Sequence, residues 1–184
     1  MSGAHSRSPA ARALRSVGWA VVVLAVLALT AFLTVGANGP DDPVLGGIPG
    51  FGEVAFRVAA AGGGPPTSAE FCALLAADDV QRAKGLMGRR DLAGFDAMVF
   101  RFDQDHTGTF FMRNVPVALS IAWFDSGGAF VSATDMPPCP DQDGCPQYAA
   151  AGPYRLAVET LKGGLEPLGI GPGSRIDVGS PCAG

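Results

Sequence analysis

The run Phe110-Phe111-Met112-Arg113-Asn114-Val115-Pro116 concentrates more chemical variety than any other in the chain. Two aromatic rings and a thioether, with a guanidinium and a carboxamide beside them, make an apolar platform edged by hydrogen-bond donors. Such a platform suits an extended or ring-shaped ligand. If the run is a strand, alternation divides it: Phe111 and Arg113 share one face, and Phe110, Met112 and Asn114 share the other. One set then fills the core, and a buried Asn114 would hold backbone groups of a loop.

A second candidate lies just upstream. His106 is the only histidine outside the N-terminal tail, in Phe102-Asp103-Gln104-Asp105-His106-Thr107. A hydrolase would use His106 as general base with Asp103 or Asp105 orienting the imidazole; otherwise the segment is a solvated polar joint between two strands. Other chemistry finds little support. Ser120, Ser126, Ser132 and Ser174 lack a nucleophile elbow, and no phosphate loop, dinucleotide fingerprint or H-E-x-x-H is present. The expectation is therefore no cofactor and no metal, and an assignment as an enzyme is not favoured.

These residues need a scaffold, and the sequence supplies mostly short strands. Apolar or alternating runs occur at 54–58, 71–77, 97–102, 107–113, 117–124, 129–134, 154–160 and 174–178. Asp125-Ser126-Gly127-Gly128 reads as a hairpin turn. Asp78-Asp79 can cap a helix over 80–87, and 163–168 suits one further helical turn. The fold class is mainly β (α+β), a small antiparallel barrel-like or sandwich domain with one or two short helices. Cysteine placement adds two ties. Cys139 and Cys145 bracket the short loop CPDQDGC, which leaves Cys72 to pair with Cys182 and join the start of the domain to its end. Disulfides of this kind belong to an oxidising compartment.

The N-terminus agrees with export. Residues 17–35 form an uncharged apolar run after Arg7, Arg12 and Arg15. About 20 residues at 1.5 Å per residue match a hydrocarbon core of roughly 30 Å, and arginines before the run place the tail in the cytoplasm. The resulting plan is a basic tail at 1–16, an anchor or signal peptide at 17–37, a flexible Gly-, Pro- and Asp-rich linker at 38–53, and the exported domain at 54–184. Localisation is then the cell membrane with the domain outside, or secretion if the segment is cleaved. The first fifteen residues hold three of the 13 basic residues, which leaves ten against 17 acidic residues, a formal charge of −7. That balance excludes nucleic acid as a partner. The membrane contact is through residues 17–35; an envelope polymer, a peptide or a protein is the other partner expected.

Along roughly residues 70–178 the chain resembles the bacterial family called domain of unknown function 192. The likeness rests on Arg82-Ala83-Lys84-Gly85-Leu86-Met87-Gly88-Arg89, Ala97-Met98-Val99-Phe100, the F-F-M-R-N-V-P run, Val117 to Ile121, the Pro138-Cys139 to Cys145-Pro146 loop, Tyr148 and Gly169-Ile170-Gly171-Pro172-Gly173. Here Phe111 stands for the usual Trp, Arg113 for Lys, Val115 for Thr and Ser120 for a common Asp. The resemblance implies a mostly β domain in small exported or membrane-anchored proteins and names no reaction. It draws attention to Arg82, Met112, Arg113 and Asn114. Together with Phe111 these are the candidate ligand contacts of a ligand- or partner-binding accessory module; a hydrolase through His106 and a purely structural envelope protein are the alternatives. The mass of protein purified from membranes tests the N-terminal reading: an anchored chain retains its full 18.7 kDa, and a cleaved one lacks the residues up to about Ala37.

Overall fold

A seven-stranded sheet curls until its two edges meet. The computed structural model describes residues 47–59, 61, 69–179 and 181–182. The strands are β1 (Gly52–Ala59), β2 (Phe71–Ala76), β3 (Ala97–His106), β4 (Thr109–Phe111), β5 (Leu119–Phe124), β6 (Phe130–Met136), β7 (Gln147–Ala149), β8 (Tyr154–Leu161) and β9 (Arg175–Val178), with one helix among the described residues, α1 (Asp79–Lys84). The large sheet has the order β6-β5-β8-β3-β2-β1-β9, and β4 pairs with β7 in a separate ribbon. Closure comes from the ends of that order. The Phe130 amide donates to the Ser174 carbonyl (3.0 Å), and the Ile176 amide donates to the Gly128 carbonyl (2.8 Å). A side chain at Gly128 would run into the Ile176 carbonyl, and Gly128 has φ +77°, so the hairpin turn read from the sequence is also where the sheet closes.

Alternation along the strands sorts the apolar residues between two layers. Val54, Phe56, Val58, Val99, Phe124 and Val158 meet Leu168, Ile170 and Ile176 on one face. Leu74, Met98, Phe100, Ile121 and Trp123 lie on the other, under Leu86, Phe95, Met112 and Val115 from the connecting segments.

Several expectations need correction. The sheet is mixed, because β2 and β3 pair in parallel, and the intervening chain carries α1 back across the sheet. The linker expected at 38–53 does not run its full length, since Ile48 is buried in the core and β1 opens at Gly52. Asp103 to His106 do not form a joint between strands; they prolong β3. Against β8 the segment bulges, with Arg101 opposite Leu156 but His106 opposite Tyr154. Residues 163–168 form turns and no helix. The helix itself is shorter than expected, and its start is a capping box in which the Asp78 carboxylate accepts from the Gln81 amide (2.8 Å). Residues 17–35 lie outside the described residues, and among the described residues no helix is long and apolar enough to cross a membrane.

Both disulfides form as the spacing suggested, with Cα separations of 5.7 Å for Cys72–Cys182 and 6.0 Å for Cys139–Cys145. The first spans 110 residues and the second 6. Loop-closure entropy makes the long tie worth about 4–5 kcal/mol and the short one about 2 kcal/mol. Replacing Cys72 and Cys182 by Ser is therefore expected to lower the melting temperature more than replacing Cys139 and Cys145, and reductant should lower it in the native protein. Equal melting of the two double variants contradicts this assignment.

Candidate functional site

The crossover from β2 to β3 does not lie flat on the sheet. Between α1 with its following turn, β3, β8 and the β4 ribbon is a cavity of about 350 Å³, within the size range of small-molecule sites. Phe100, Phe102, Phe110, Met112 and Tyr154 contribute to its walls, and Glu159 and Leu119 lie toward the sheet. The rings support one another. Phe100 meets Phe110 edge to face with centroids 5.0 Å apart, Phe102 stacks on His106 at 4.3 Å, and Tyr154 stands perpendicular to both Phe102 and His106 at 5.4 Å.

Glu159 is the unusual member. It sits on β8 between two strands, opposite Met98 on one side and Ile121 on the other, and it is only 4% exposed. No group among the described residues hydrogen-bonds its carboxyl. Burial pushes its pKa up to about 8, because charge is costly where water is scarce. Burial also pushes Tyr154 up to about 12, but Tyr154 has a partner: its hydroxyl donates to the Gly108 carbonyl (2.9 Å). At neutral pH Glu159 is therefore mainly a neutral acid with an unused hydrogen-bonding group in an aromatic cavity.

The residues singled out by the sequence separate into groups. Arg82, Phe111 and Met112 line the cavity. Met112 is buried, whereas Phe111 is 40% exposed and lies at the rim. Arg82 fastens α1 to the sheet: its guanidinium donates to the carbonyls of Ala77 and, at 2.8 Å, Arg101, and it pairs with Asp79. It also lies over the Phe102 ring, 4.9 Å from the centroid. Arg113 points elsewhere, to Asp141 (2.7 Å) and Asp143 (3.2 Å) in the disulfide loop. Asn114 is exposed and has φ +57°, a conformation that asparagine accepts more readily than most residues. Its amide donates to Pro140 (3.4 Å) and its carbonyl accepts from Gly88 (2.7 Å).

His106 lines the same cavity, but Asp103 and Asp105 do not. Asp105 is engaged with Arg155 at 2.7 Å, and Asp103 is exposed. Ser120 is buried away from the cavity lining. Its hydroxyl donates to Asp135 (2.6 Å) and accepts from the Gly163 amide (3.0 Å), so it secures the turn after β8. The Ser120 hydrogen bond, with Lys162 nearby, holds Asp135 below the ordinary carboxylate range. The only acidic and sulfur cluster with metal-like spacing is Glu53 with Cys72 and Cys182 among the described residues; the disulfide removes both thiolates from that role.

Sequence reasoning missed Glu159. The signal was its position in Tyr154-Arg155-Leu156-Ala157-Val158-Glu159-Thr160-Leu161, where an acid directly follows the apolar run Leu156-Ala157-Val158 and shares a strand face with Ala157.

The family model for domain of unknown function 192, described as an uncharacterised ACR family, matches residues 63–178. No curated protein matches the chain. Among solved structures, a Novosphingobium aromaticivorans protein of unknown function is 26% identical with a TM-score of 0.58, over 75% of this chain and 94% of its own. A Sinorhizobium meliloti protein described as a "putative transcription regulator" is 23% identical with a TM-score of 0.57, over 70% of this chain and 95% of its own. The second likeness concerns the fold alone.

Glu159 should leave a mark on stability. Below about pH 4.5, its ordinary value, the carboxyl is neutral in both folded and unfolded chains; from there to about 8 the unfolded chain gives up the proton and the folded chain keeps it. This group therefore makes stability fall as pH rises through that window, by about 1.4 kcal/mol per unit, and the fall stops above it. Subtracting the melting curves of Glu159→Gln from those of the native protein between pH 5 and 9 should isolate this slope. Parallel curves would show that the acid is not buried as described.

Proposed function

The chain belongs to the domain of unknown function 192 family, and since membership brings no reaction with it, we propose from the site itself that the protein is an exported ligand-binding accessory module. Its ligand is one small, largely apolar molecule held between α1, β3, β8 and the β4 ribbon. The observation that carries this reading is the aromatic cavity with a buried acid that no described group of the protein satisfies. A carboxyl that lines such a cavity and is unpaired among the described residues is one that a ligand can engage. The two disulfides fit work in an oxidising compartment, and residues 17–35 would hold the domain at the membrane.

The hydrolase alternative is less well supported. The side chains against His106 are the rings of Phe102 and Tyr154, while Asp105 serves Arg155. A general base needs an orienting acceptor within hydrogen-bond reach, and neither neighbouring aspartate shares its cavity.

The uncharged probe 2-phenylethanol tests the cavity by NMR titration. Shifts are expected at Phe110, Met112 and Leu86, and Phe110→Ala should weaken binding about tenfold, the effect of losing roughly 1.4 kcal/mol of ring contact. Arg113→Ala, whose side chain pairs with Asp141 and Asp143 among the described residues, should leave the affinity within about twofold. Shifts confined to the loop around Asp141 and Asp143, with the cavity unmoved, would end this reading.

A further inference from the structure

Resting on that reading of the cavity, we infer that the group recognised in the ligand is an organic ammonium, seated on the Glu159 carboxylate and bounded by the rings of Phe100 and Phe110. Three features converge on a cation. Glu159 is 4% exposed and has no hydrogen-bond partner among the described residues, so it is the acidic group in the wall left without a counterpart. The positive groups nearby already have theirs: Arg82 has two backbone carbonyls and Asp79, and Lys84 lies over the Phe51 ring at 5.5 Å. The walls hold the rings of Phe100 and Phe110, and Arg82 over Phe102 is one instance of a cation held on a ring of this wall. Aromatic faces around a carboxylate recur where ammonium groups are bound, because ring quadrupoles attract the charge at a site with little water.

Charge type disfavours the converse arrangement. An anionic ligand reaching the same depth would find in Glu159 either a neutral carboxyl with no countercharge to offer or, once ionised, an acid of like sign, while Arg82 is already engaged by Asp79 and two carbonyls. The titratable and charged groups around the cavity are Asp79, Arg82 and Lys84 from α1, His106 from β3, and Tyr154 and Glu159 from β8. Of these, Glu159 is the carboxylic acid whose burial favours its neutral form at physiological pH. The ammonium enters with its proton and stays protonated; the Glu159 O–H bond breaks, its proton goes to solvent, and the carboxylate left behind pairs with the ammonium. One proton is released per ligand bound.

Calorimetric titration of the full chain with 2-phenylethylammonium, 2-phenylethanol and phenylacetate tests this. The ammonium should bind more tightly than the alcohol, with affinity rising by up to tenfold per pH unit between pH 6 and 7.5. Heats measured in buffers of different ionisation enthalpy should report the released proton. Glu159→Gln should abolish the rise, while His106→Asn should keep it. If the glutamine variant does not fold, proton release by the native protein decides alone. Equal or tighter binding of the alcohol or of phenylacetate, or affinity that falls as pH rises, overturns the ammonium assignment and leaves the cavity reading standing. A pH rise lost in His106→Asn and retained in Glu159→Gln overturns it as well. Binding of none of the three probes overturns both readings.

Discussion

Because β2 and β3 run parallel, the chain between them has to return across the sheet, and no hairpin can make that connection. The rest of the site depends on this one constraint. The returning chain carries α1, which buries none of its own residues and so cannot hold its place by apolar packing. Polar ties do that work. Gln81 donates to the Gly50 carbonyl at 2.9 Å, and Arg82 reaches carbonyls at the end of β2 and on β3. A helix held at its ends and not pressed onto the sheet leaves space beneath it. The turn after it fills part of that space with Leu86, and the remainder is the cavity.

On the sheet side the controlling feature is a carboxyl on a central strand. β8 is flanked by β3 and β5, so any side chain on its covered face is surrounded by apolar neighbours unless something polar is placed there. Isolated charge in such a position is costly, and the usual response is protonation. A glutamine or leucine would avoid that cost, so the acid is a poor choice for stability alone. Its presence makes sense where an occupant changes its surroundings, which is the argument for treating this face as a site and not as an imperfect core.

Much of the scaffold was legible in the sequence because its signals are local. The acidic, glycine-containing loop between Cys139 and Cys145 announces a short closure, and that pairing fixes the other by remainder. Asp125 to Gly128 announces a turn. What escaped depends on pairing across the chain. β7 has three residues and gains its identity only from β4. The bulge that keeps Asp103 to His106 within β3 exists because β8 takes a shorter path opposite it. The parallel register of β2 and β3 has no hydropathy signature that separates it from an antiparallel one. Glu159 was visible as an acid in a strand, but alternation gives only the face of a residue; it does not say that the face is covered, or that nothing there answers the carboxyl.

The F-F-M-R-N-V-P run shows how one motif serves two structures. Phe110 and Met112 turn inward, as alternation allows, and become wall; Arg113 turns outward to two aspartates of the disulfide loop. β4 ends at Phe111, and at Asn114 the chain turns with a positive φ, so this side chain does not follow Phe110 and Met112 into the core. Instead its backbone links Gly88, beside the crossover, to Pro140 in the loop. The loop leads into Gln147–Ala149, the partner of the strand that presents Phe110 and Phe111. The polar half of the motif therefore braces the covalently closed loop that leads into the two-strand ribbon, and neither Arg113 nor Asn114 lines the cavity. Residues that look like donors at the edge of a platform tie the loop behind it, and the buried acid of the cavity lies 45 residues later in the chain than Asn114.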